Sequence, residues 1–295
     1  MSYQINARNS QVQSLRTTIS TLQEDLSFAG GKVSALDRCF DRQEVVAGSC
    51  ETHGKFQKQR IWTQFQHNGR VSEKFSRCPD CITADLEAAQ NSLRTIQTEM
   101  LTERANIPER FAGCSFDNYQ AVNKSAQTNL SILRGYASAW PQILDAGSSL
   151  ILTGRPGTGK NHLAVALAKS IIEQHQATVQ LTSVMRIIRA VRRTWEKGSE
   201  LSEEDVIARY TGVDLLIIDE VGIQYGSESE MIILFDIMNT RYERMLPTVL
   251  ISNLALPQIS QVIGDRLTDR MVEGGGATLV FDWPSYRSQK GAPAV

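Results

Sequence analysis

A glycine-rich loop between two apolar segments is the feature that most restricts the fold of this chain. The loop reads Gly154-Arg155-Pro156-Gly157-Thr158-Gly159-Lys160-Asn161; it follows Leu150-Ile151-Leu152, and residues 162–168 begin an apolar-periodic run. A strand that turns through such a loop into a helix points backbone N–H groups inward, and the helix N-terminus adds partial positive charge. This order of elements predicts a phosphate cradle in an α/β fold, with Lys160 reaching the phosphates. The alternative is a plain glycine turn.

Two adjacent carboxylates after a second apolar run complete the candidate site. Asp219 and Glu220 follow Leu215-Leu216-Ile217-Ile218, which fits a strand buried on both faces. Ligands of open α/β sheets bind at the carboxyl ends of strands. We therefore expect Asp219 to hold Mg²⁺, directly or through water, and Glu220 to act as the general base for the water that attacks the γ-phosphate. Together the two motifs predict binding and hydrolysis of ATP.

The loop and the start of its helix are expected to bind the nucleotide. These residues are Gly154, Pro156, Gly157, Thr158, Gly159, Lys160, Asn161 and His162. Asn161 departs from the usual pattern, in which a Ser or Thr follows the lysine and its hydroxyl binds Mg²⁺. An amide oxygen is a hard ligand that can replace the hydroxyl. Looser metal binding would slow hydrolysis, which suits a switch better than a motor.

Composition and charge restrict the class of protein. The 295 residues suffice for two domains, and 41% apolar with 21% charged residues are ordinary for a soluble globular protein. A net charge of −1 gives no global attraction to nucleic acid, so any such site must be local. No apolar run approaches a membrane-spanning length, and the N-terminus lacks the features of a signal peptide. We expect a cytoplasmic protein without membrane contact, whose five cysteines are thiols or metal ligands.

Residues 1–105 are expected to form an N-terminal domain and residues 106–295 the ATPase domain, after a linker at 107–111 that contains a proline. Apolar residues at alternating spacings of three and four predict amphipathic helices over 9–28 and 82–105. The simplest arrangement is an antiparallel helical hairpin with a compact insert at its tip. Alternatively, the two helices pack elsewhere on the ATPase domain.

The insert carries a candidate metal site. Cys50 and His53 form one close pair, and Cys78 and Cys81 form another. Two such pairs on tight turns can converge on one tetrahedral ion, and three thiolates with one imidazole suit Zn²⁺ better than an iron–sulfur cluster. The alternative is unrelated buried thiols. Cys39 is expected to be a small buried residue rather than a ligand.

The same insert is basic and aromatic. Its cations are Lys55, Lys58, Arg60, Arg70, Lys74 and Arg77, and its aromatic residues are Phe56, Trp62, Phe65 and Phe75. Such a segment can bind single-stranded nucleic acid by stacking and phosphate contacts. It can equally present an aromatic face to a protein, or it can be a solvated shell over a few core rings.

Four arginines follow a second predicted strand at 178–182. Apolar residues between 184 and 191 have helical spacing, and the arginines lie on the other face. The candidate phosphate-binding residues are Arg186, Arg189 and Arg193, flanked by Arg192 and followed by Trp195. The alternative is an ordinary solvated helix face.

Three further polar positions are candidates for contact with the γ-phosphate. Asn253 ends another apolar run, where its amide can bind the attacking water or the phosphate. Arg266 and Arg270 lie four apart on one helix face, so that one of them can serve as an arginine finger toward a neighbour's ATP. Arg287 is a second candidate sensor. Each of these residues, taken alone, also has an ordinary structural explanation.

The chain resembles the DnaC-like replicative helicase loaders of the AAA+ superfamily. The resemblance covers roughly residues 107–290 and rests on the stretches GRPGTGKNHLA, VDLLIIDEVGIQ, ISN, GDRLTDRM and FDWPSYRS. The stretch IPERFAGCSFDNY also resembles these loaders and their IstB transposition-helper relatives. The metal-site motif CETHG…CPDC resembles the N-terminal domains of several loaders more weakly.

The resemblance implies a parallel five-stranded sheet flanked by helices, without a C-terminal helical lid. It implies that Asn253 is the first sensor, Arg270 the finger acting in trans, with Arg266 close by, and Arg287 the second sensor. It also implies that the helix carrying Arg186, Arg189 and Arg193, together with Trp195, contacts single-stranded DNA in an ATP-bridged oligomer.

The expected function is therefore ATP-dependent loading of a replicative ring helicase onto single-stranded DNA, with ATP, Mg²⁺ and Zn²⁺ as cofactors. Two alternatives stay open. One is an IstB-like helper that delivers target DNA to a transposase, and the other is an adapter that binds ATP but scarcely hydrolyses it.

Overall fold

The computed structural model describes residues 2–32, 42–64, 71–222 and 228–286, and the chain divides into two compact units. The first unit ends at Gln97 and the second begins at Thr98, so the division falls within one helix. The boundary predicted after residue 105 stays a prediction. None of the helices in the described part of the chain combines the length and apolarity that crossing a bilayer requires.

The first unit contains two long helices and a three-stranded sheet. The helices are α1 (Ser2–Ala29) and α2 (Pro79–Arg104), and the strands are β1 (Arg42–Cys50), β2 (Gly54–Gln64) and β3 (Val71–Phe75). The sheet is antiparallel with β2 in the middle. Leu22 and Ala29 of α1 share a small apolar cluster with Ile82 and Ala89 of α2. Both predicted helices are therefore present, and they pack on each other.

The strands of the insert were not predicted from the sequence. Their residues alternate little in polarity, since β2 places Gln and Lys on both of its faces. Ile61 is the one buried apolar side chain on β1–β3 among the described residues. Apolar and polar residues alternate along a strand where one face of its sheet is buried. This sheet buries too little apolar surface to produce such an alternation.

The second unit is built on a five-stranded parallel sheet, as predicted. Its strands are β4 (Leu150–Gly154), β5 (Val179–Ser183), β6 (Leu215–Asp219), β7 (Thr248–Ser252) and β8 (Ala277–Phe281), in the order β5-β6-β7-β4-β8. All neighbouring strands are parallel. The strand predicted at 178–182 lies one residue further along.

Helices cover both faces of this sheet. The described helices are α3 (Lys124–Ser138), α4 (Trp140–Ala146), α5 (Lys160–His175), α6 (Val184–Thr194), α7 (Glu203–Thr211), α8 (Glu228–Glu243), α9 (Leu256–Ile263) and α10 (Asp265–Val272). Leu150 and Leu152 of β4 pack with α3, α4 and α5 in one cluster, whereas Ile151 packs with α6–α10 in the other. Successive strand residues point to opposite faces, so the uninterrupted apolar runs of the sequence reflect two buried faces. The predicted absence of a lid concerns residues beyond 286, which lie outside the described ones.

A buried arginine ties the second unit together. Arg241 on α8 is 0% exposed, and its guanidinium donates hydrogen bonds to the carbonyls of Tyr210, Val213, Asp214 and Pro247 and to Thr248 Oγ1. Burial lowers its pKa to about 9, against the attraction of the Asp214 carboxylate, so the group is charged at neutral pH. One side chain thus satisfies the backbone carbonyls of the segments that precede β6 and β7 and links these segments to α8.

Candidate nucleotide and metal sites

The glycine loop has the predicted strand–loop–helix context. β4 ends at Gly154 and α5 begins at Lys160. Gly154 has φ 128°, where a Cβ would collide with the carbonyl oxygen of Phe281. Gly159 has φ 96°, where a Cβ would lie 2.7 Å from Cε2 of Tyr119. Both positions therefore require glycine, because of the backbone conformation and because of the close neighbour.

Lys160 is held at the rim of this loop. Its side chain is only 5% exposed, and Nζ donates hydrogen bonds of 2.7 Å to the carbonyl oxygens of Gly154 and Arg155. These contacts place a positive charge against the loop that the N-terminus of α5 follows. The arrangement can receive an anionic group without first building the site.

Asn161 contacts the predicted metal-binding carboxylate directly. Its Nδ2 donates a 2.6 Å hydrogen bond to Oδ2 of Asp219, and the backbone N–H of Glu220 donates to Oδ1 of the same carboxylate at 2.7 Å. Glu220 has φ 61°, a left-handed conformation that costs a non-glycine residue energy. With Nδ2 on Asp219, the amide oxygen of Asn161 is the atom of that side chain suited to Mg²⁺.

All of the predicted nucleotide-binding residues except Gly154 line one cavity of about 720 Å³ together with the two carboxylates. Pro156 to His162, Asp219, Glu220 and Asn253 line it. Asn253 is exposed and is the first residue after β7. The structure thus brings together the glycine loop, the acidic pair and the first sensor candidate at the carboxyl ends of parallel strands.

Two walls of this cavity come from segments that sequence reasoning did not assign to it. Tyr119 packs edge-on against His162 with ring centroids 5.3 Å apart, and its hydroxyl donates to Thr158 O at 3.4 Å. Burial raises the pKa of Tyr119 to about 12. Trp283 Nε1 donates to Thr158 O at 3.1 Å, and Tyr286 N donates to Gly157 O at 2.9 Å.

The signal for these walls was present but was not used. They belong to the stretches IPERFAGCSFDNY and FDWPSYRS, which carried the resemblance although their aromatic residues were given no role. His162 is held from the first of these stretches, since its Nε2 donates to Ser115 O at 2.9 Å. Aromatic rings beside a phosphate loop form the kind of apolar wall that a nucleoside needs.

The arginine-finger candidates lie elsewhere in the second unit. Arg270 on α10 donates to Asn239 Oδ1 and stacks on Tyr242 at 4.4 Å, and it is not among the residues that line the nucleotide cavity. Arg266 is exposed. Arg287 lies outside the described residues. Arg270 is therefore held on its own subunit, away from its own nucleotide loop.

Helix α6 has the amphipathic character predicted for it. Val184, Ile187, Ile188 and Val191 are buried, whereas Arg186, Arg189, Arg192 and Arg193 are exposed. Arg192 forms a 2.7 Å ion pair with Glu230. Trp195 caps the helix with 55% of its surface exposed, and its Nε1 donates to Glu203.

Arg186 differs in place from the other exposed arginines of α6. It lines a smaller cavity of about 160 Å³ together with Asn161, Asp219 and Glu220. Its guanidinium therefore lies near the metal-binding end of the nucleotide site, whereas Arg189 and Arg193 are not among the residues of that cavity.

The four predicted metal ligands converge in the first unit. The ligand atoms of Cys50, His53, Cys78 and Cys81 all lie within 4.8 Å of one another. Sγ of Cys81 lies 3.2 Å from Nδ1 of His53 and 3.5 Å from Sγ of Cys50. With Zn–S bonds of about 2.3 Å and Zn–N bonds of about 2.0 Å, neighbouring ligand atoms of a tetrahedral zinc lie about 3.5–3.8 Å apart. The donor set and its spacing fit zinc.

The backbone prepares one thiol for metal binding. Cys50 ends β1, and the backbone N–H groups of His53 and Thr52 donate to its sulfur, which lowers its pKa to about 6. The hydrogen bond with Cys50 raises the pKa of Cys81 to about 11, because two thiolates at 3.5 Å repel each other. A divalent cation between them would remove that repulsion. Cys39 lies outside the described residues.

Comparison with known proteins agrees with this geometry. Residues 81–280 match the family model described as IstB-like ATP binding protein. The chain is 32% identical over 202 residues to the replicative helicase loader DnaC of Escherichia coli (strain K12), covering 68% of this chain and 80% of that protein.

A second relative and a solved structure extend the comparison. The chain is 31% identical over 224 residues to the replicative helicase loader DnaC of Buchnera aphidicola subsp. Acyrthosiphon pisum (strain APS), covering 74% of this chain and 89% of that protein. A crystal structure of the DnaC helicase loader aligns with a TM-score of 0.54 at 20% identity, over 59% of this chain and 100% of that one. At that identity the structural likeness concerns the fold.

Proposed function

The chain belongs to the IstB-like ATP-binding proteins and within them to the DnaC-like AAA+ proteins, and from this premise we propose that it loads a replicative ring helicase onto single-stranded DNA in the cytoplasm. Among the described residues, the observation that carries the proposal is one cavity that joins the glycine loop, Asn161, Asp219, Glu220 and Asn253, in a unit whose helix α6 exposes arginines and Trp195. The relatives named as helicase loaders supply the class of partner.

In this proposal the chain's own residues bind and turn over ATP. Lys160 and the N–H groups of the loop hold the phosphates. Mg²⁺ would neutralise charge on the phosphates, with Asp219 and the amide oxygen of Asn161 as its protein ligands. Glu220 takes the proton of the attacking water, and Asn253 orients that water. An amide oxygen at Asn161 in place of the usual hydroxyl would hold Mg²⁺ less tightly, so we expect slow turnover.

Arg270 acts on a neighbouring subunit in this mechanism. It is held by Tyr242 and Asn239 and does not line its own nucleotide cavity. An ATP-bridged oligomer would present it to the neighbour's γ-phosphate, where charge develops in the transition state. Arg270→Ala is then silent for ATP binding and lowers turnover. Mixing it with Glu220→Gln restores part of the activity, since one interface of the mixed oligomer has both groups. Normal turnover by Arg270→Ala alone would shift the role to Arg266.

Single-stranded DNA would contact α6 and Trp195. A lone subunit offers few phosphate contacts, whereas an ATP-bridged array aligns several copies on one strand. Charge reversal at Arg189 and Arg193 should flatten the salt dependence of binding. Trp195→Ala should weaken binding by roughly 1–3 kcal/mol without changing that slope, because a stacking contact is lost. Binding by both variants at the strength of the parent would exclude this surface.

The test of the whole proposal uses a closed circle of single-stranded DNA, which a ring helicase cannot enter without opening. The helicase, the chain and ATP are mixed with the circle, and bound helicase is counted after gel filtration. We expect retention with the parent chain and with the exposed-site control Lys197→Ala, and its loss with Lys160→Ala. Equal retention without the chain would contradict the proposal.

A second candidate function rests on the family description itself. The match to the IstB-like model over residues 81–280 is equally consistent with a helper that delivers target DNA to a transposase. Capture of a transposase rather than a ring helicase by the tagged chain would favour it. An adapter that binds ATP without turnover is the remaining alternative, suggested by Asn161, and a turnover assay with and without single-stranded DNA separates it from both.

A further inference from the structure

Among the described residues, the two faces of the sheet in the first unit differ in their contacts with helix α1. Successive residues of a strand point to opposite faces. On one face the side chain of Gln43 donates to Gly31 O at 3.2 Å, and Lys74 Nζ lies 5.1 Å from the ring centroid of Phe28 at the end of α1. Helix α1 therefore covers the end of that face where Ile61 is buried, whereas Val45 on the same face is 54% exposed.

The opposite face carries aromatic rings interleaved with cations. We refer to it as the aromatic face, and its residues are Arg42, Phe56, Lys58, Arg60, Trp62, Val71 and Phe75. The strand register sets Arg42 opposite Trp62 and Arg60 opposite Phe75. Phe75 is 42% exposed and Val71 is 55% exposed, although both are large apolar residues.

The cations of this face lie over its rings. Arg42 and Arg60 lie 5.2 and 4.7 Å from the Trp62 ring centroid, and Lys58 and Arg60 lie 4.4 and 5.6 Å from that of Phe75. These are cation–π distances. Rings and positive charges therefore alternate along this face of the sheet.

The charge of the region is opposite to that of the whole chain. Residues 42–64 and 71–77 hold six Lys or Arg and three Glu, whereas the chain has a net charge of −1. Two of the carboxylates, Glu44 and Glu73, bind Arg60 at 2.8 Å and fix its guanidinium. Among the described residues, Arg42 and Lys58 have no carboxylate at ion-pair distance.

We propose that the aromatic face is a second binding site for single-stranded nucleic acid, distinct from helix α6. Bases stack on aromatic rings and on guanidinium planes whatever their sequence, and neighbouring cations bind the phosphates. Residues two apart on a strand are separated by about 6.6 Å, which lets alternate side chains of β2 serve successive nucleotides. A protein-binding face would be depleted in Lys and Glu, which are present here.

The test measures DNA directly and so does not depend on helicase loading. Full-length chain with Arg189→Glu and Arg193→Glu removes the contribution proposed for α6, and fluorescent oligo(dT) is titrated by anisotropy. On that background, Phe75→Leu should weaken binding about fivefold or more, because it keeps the apolar volume but loses the stacking plane. Phe75→Tyr keeps an aromatic ring and should retain binding. If the ring only supported the fold, Phe75→Leu and Phe75→Tyr need not differ in this way.

Two lysines of β2 that lie on opposite faces of the sheet distinguish the two faces in a binding experiment. Lys58→Ala should reduce the slope of log K against log salt by about 0.7, the value for one phosphate contact on a single strand. Lys55→Ala removes an equal charge from the opposite face of β2 and should leave the slope unchanged. Circular dichroism and zinc content check that each variant is folded.

Photo-crosslinking settles the site without any substitution in the sheet. Oligo(dT) carrying 5-iodouracil is irradiated on the parent chain, and the adduct is mapped by mass spectrometry. We expect adducts on Trp62 or Phe75. The proposal is overturned if no adduct falls between residues 42 and 77 and Phe75→Leu binds oligo(dT) as tightly as the Arg189→Glu, Arg193→Glu chain. It is also overturned if Phe75→Leu loses helicase binding while its affinity for DNA is unchanged.

Discussion

The two sheets of this chain are held together in different ways. The central strands β4, β6 and β7 of the second unit are buried on both faces, and Leu150, Ile151 and Leu152 are each at most 2% exposed. The three strands of the first unit bury Ile61 and expose Val45, Val71 and Phe75 at 42% or more. At about 25 cal/mol per Å² of buried apolar surface, the first sheet gains little from burial. Its order therefore depends on the four side chains that converge at one end of it.

Removing the metal should have the largest effect and should be confined to the first unit. Chelation or Cys78→Ser should unfold the three-stranded sheet, because structural zinc supplies about 10–16 kcal/mol of folding free energy in small zinc domains. Hydrogen exchange should rise over 42–81 and stay slow over 150–281. Cys114→Ser, a thiol outside the cluster, is the control. One zinc per chain is expected by elemental analysis, and metal-free protein with a protected sheet would contradict this.

Replacing Arg241 should destabilise only the second unit. Arg241→Leu leaves four backbone carbonyls and Thr248 without their donor, and breaking such a buried network costs about 3–5 kcal/mol. Chemical denaturation followed by hydrogen exchange should show this loss over 150–281 alone. Arg244→Leu, an exposed arginine just beyond the same helix, should change the free energy of unfolding by less than about 0.5 kcal/mol.

The two sheets also differ in how well the sequence predicts them, and the reason is again the amount of apolar surface that each sheet buries. Strands that are buried on both faces need apolar residues at every position, which produces the runs at 150–152, 215–218 and 248–251. The glycine loop and the acidic pair follow directly after two of these runs. The existence of these strands and the placement of the motifs at their carboxyl ends followed from that pattern, whereas the order of the strands in the sheet did not. β1–β3 left no pattern, since exposed strands tolerate polar residues on both faces.

The walls of the nucleotide cavity were hidden for another reason. Tyr119 and Trp283 reach Thr158 from distant parts of the chain, and aromatic residues are as compatible with a core as with a pocket. The four metal ligands, in contrast, were identified because their spacing is short and local. The burial of Arg241 had no local signal at all, since its five acceptors belong to separate loops.

Lys160→Ala should lower ATP affinity without unfolding either unit. A hydrogen bond to a charged group contributes about 1.5–3 kcal/mol, so the dissociation constant should rise roughly 10- to 150-fold by isothermal titration. Lys169→Ala on the same helix, whose amine binds the carbonyls of Ala112 and Cys114, is the control. Unchanged affinity in Lys160→Ala would remove this loop from the nucleotide site.

The smallest expected effect tests local order in the second unit. Ser202 caps α7, where it accepts from Asp205 N while Asp205 accepts from the backbone of Ser202. Ser202→Ala should cost about 1 kcal/mol of unfolding free energy, visible as a modest shift of the denaturation midpoint. Ser131→Ala, an exposed position inside α3, should be neutral. A loss as large in the control would show that the effect is not capping.

The strand order of the second unit also bears on how the chain matures during synthesis. β4 carries the glycine loop, yet its two neighbours in the sheet are β7 and β8, the last strands to leave the ribosome. Tyr286 N and Trp283 Nε1 bind the loop carbonyls from beyond β8. The β1–β2 hairpin, built from residues close in sequence, can form early. We therefore expect a nascent chain to form the β1–β2 hairpin long before the last neighbours of the glycine loop have been synthesised.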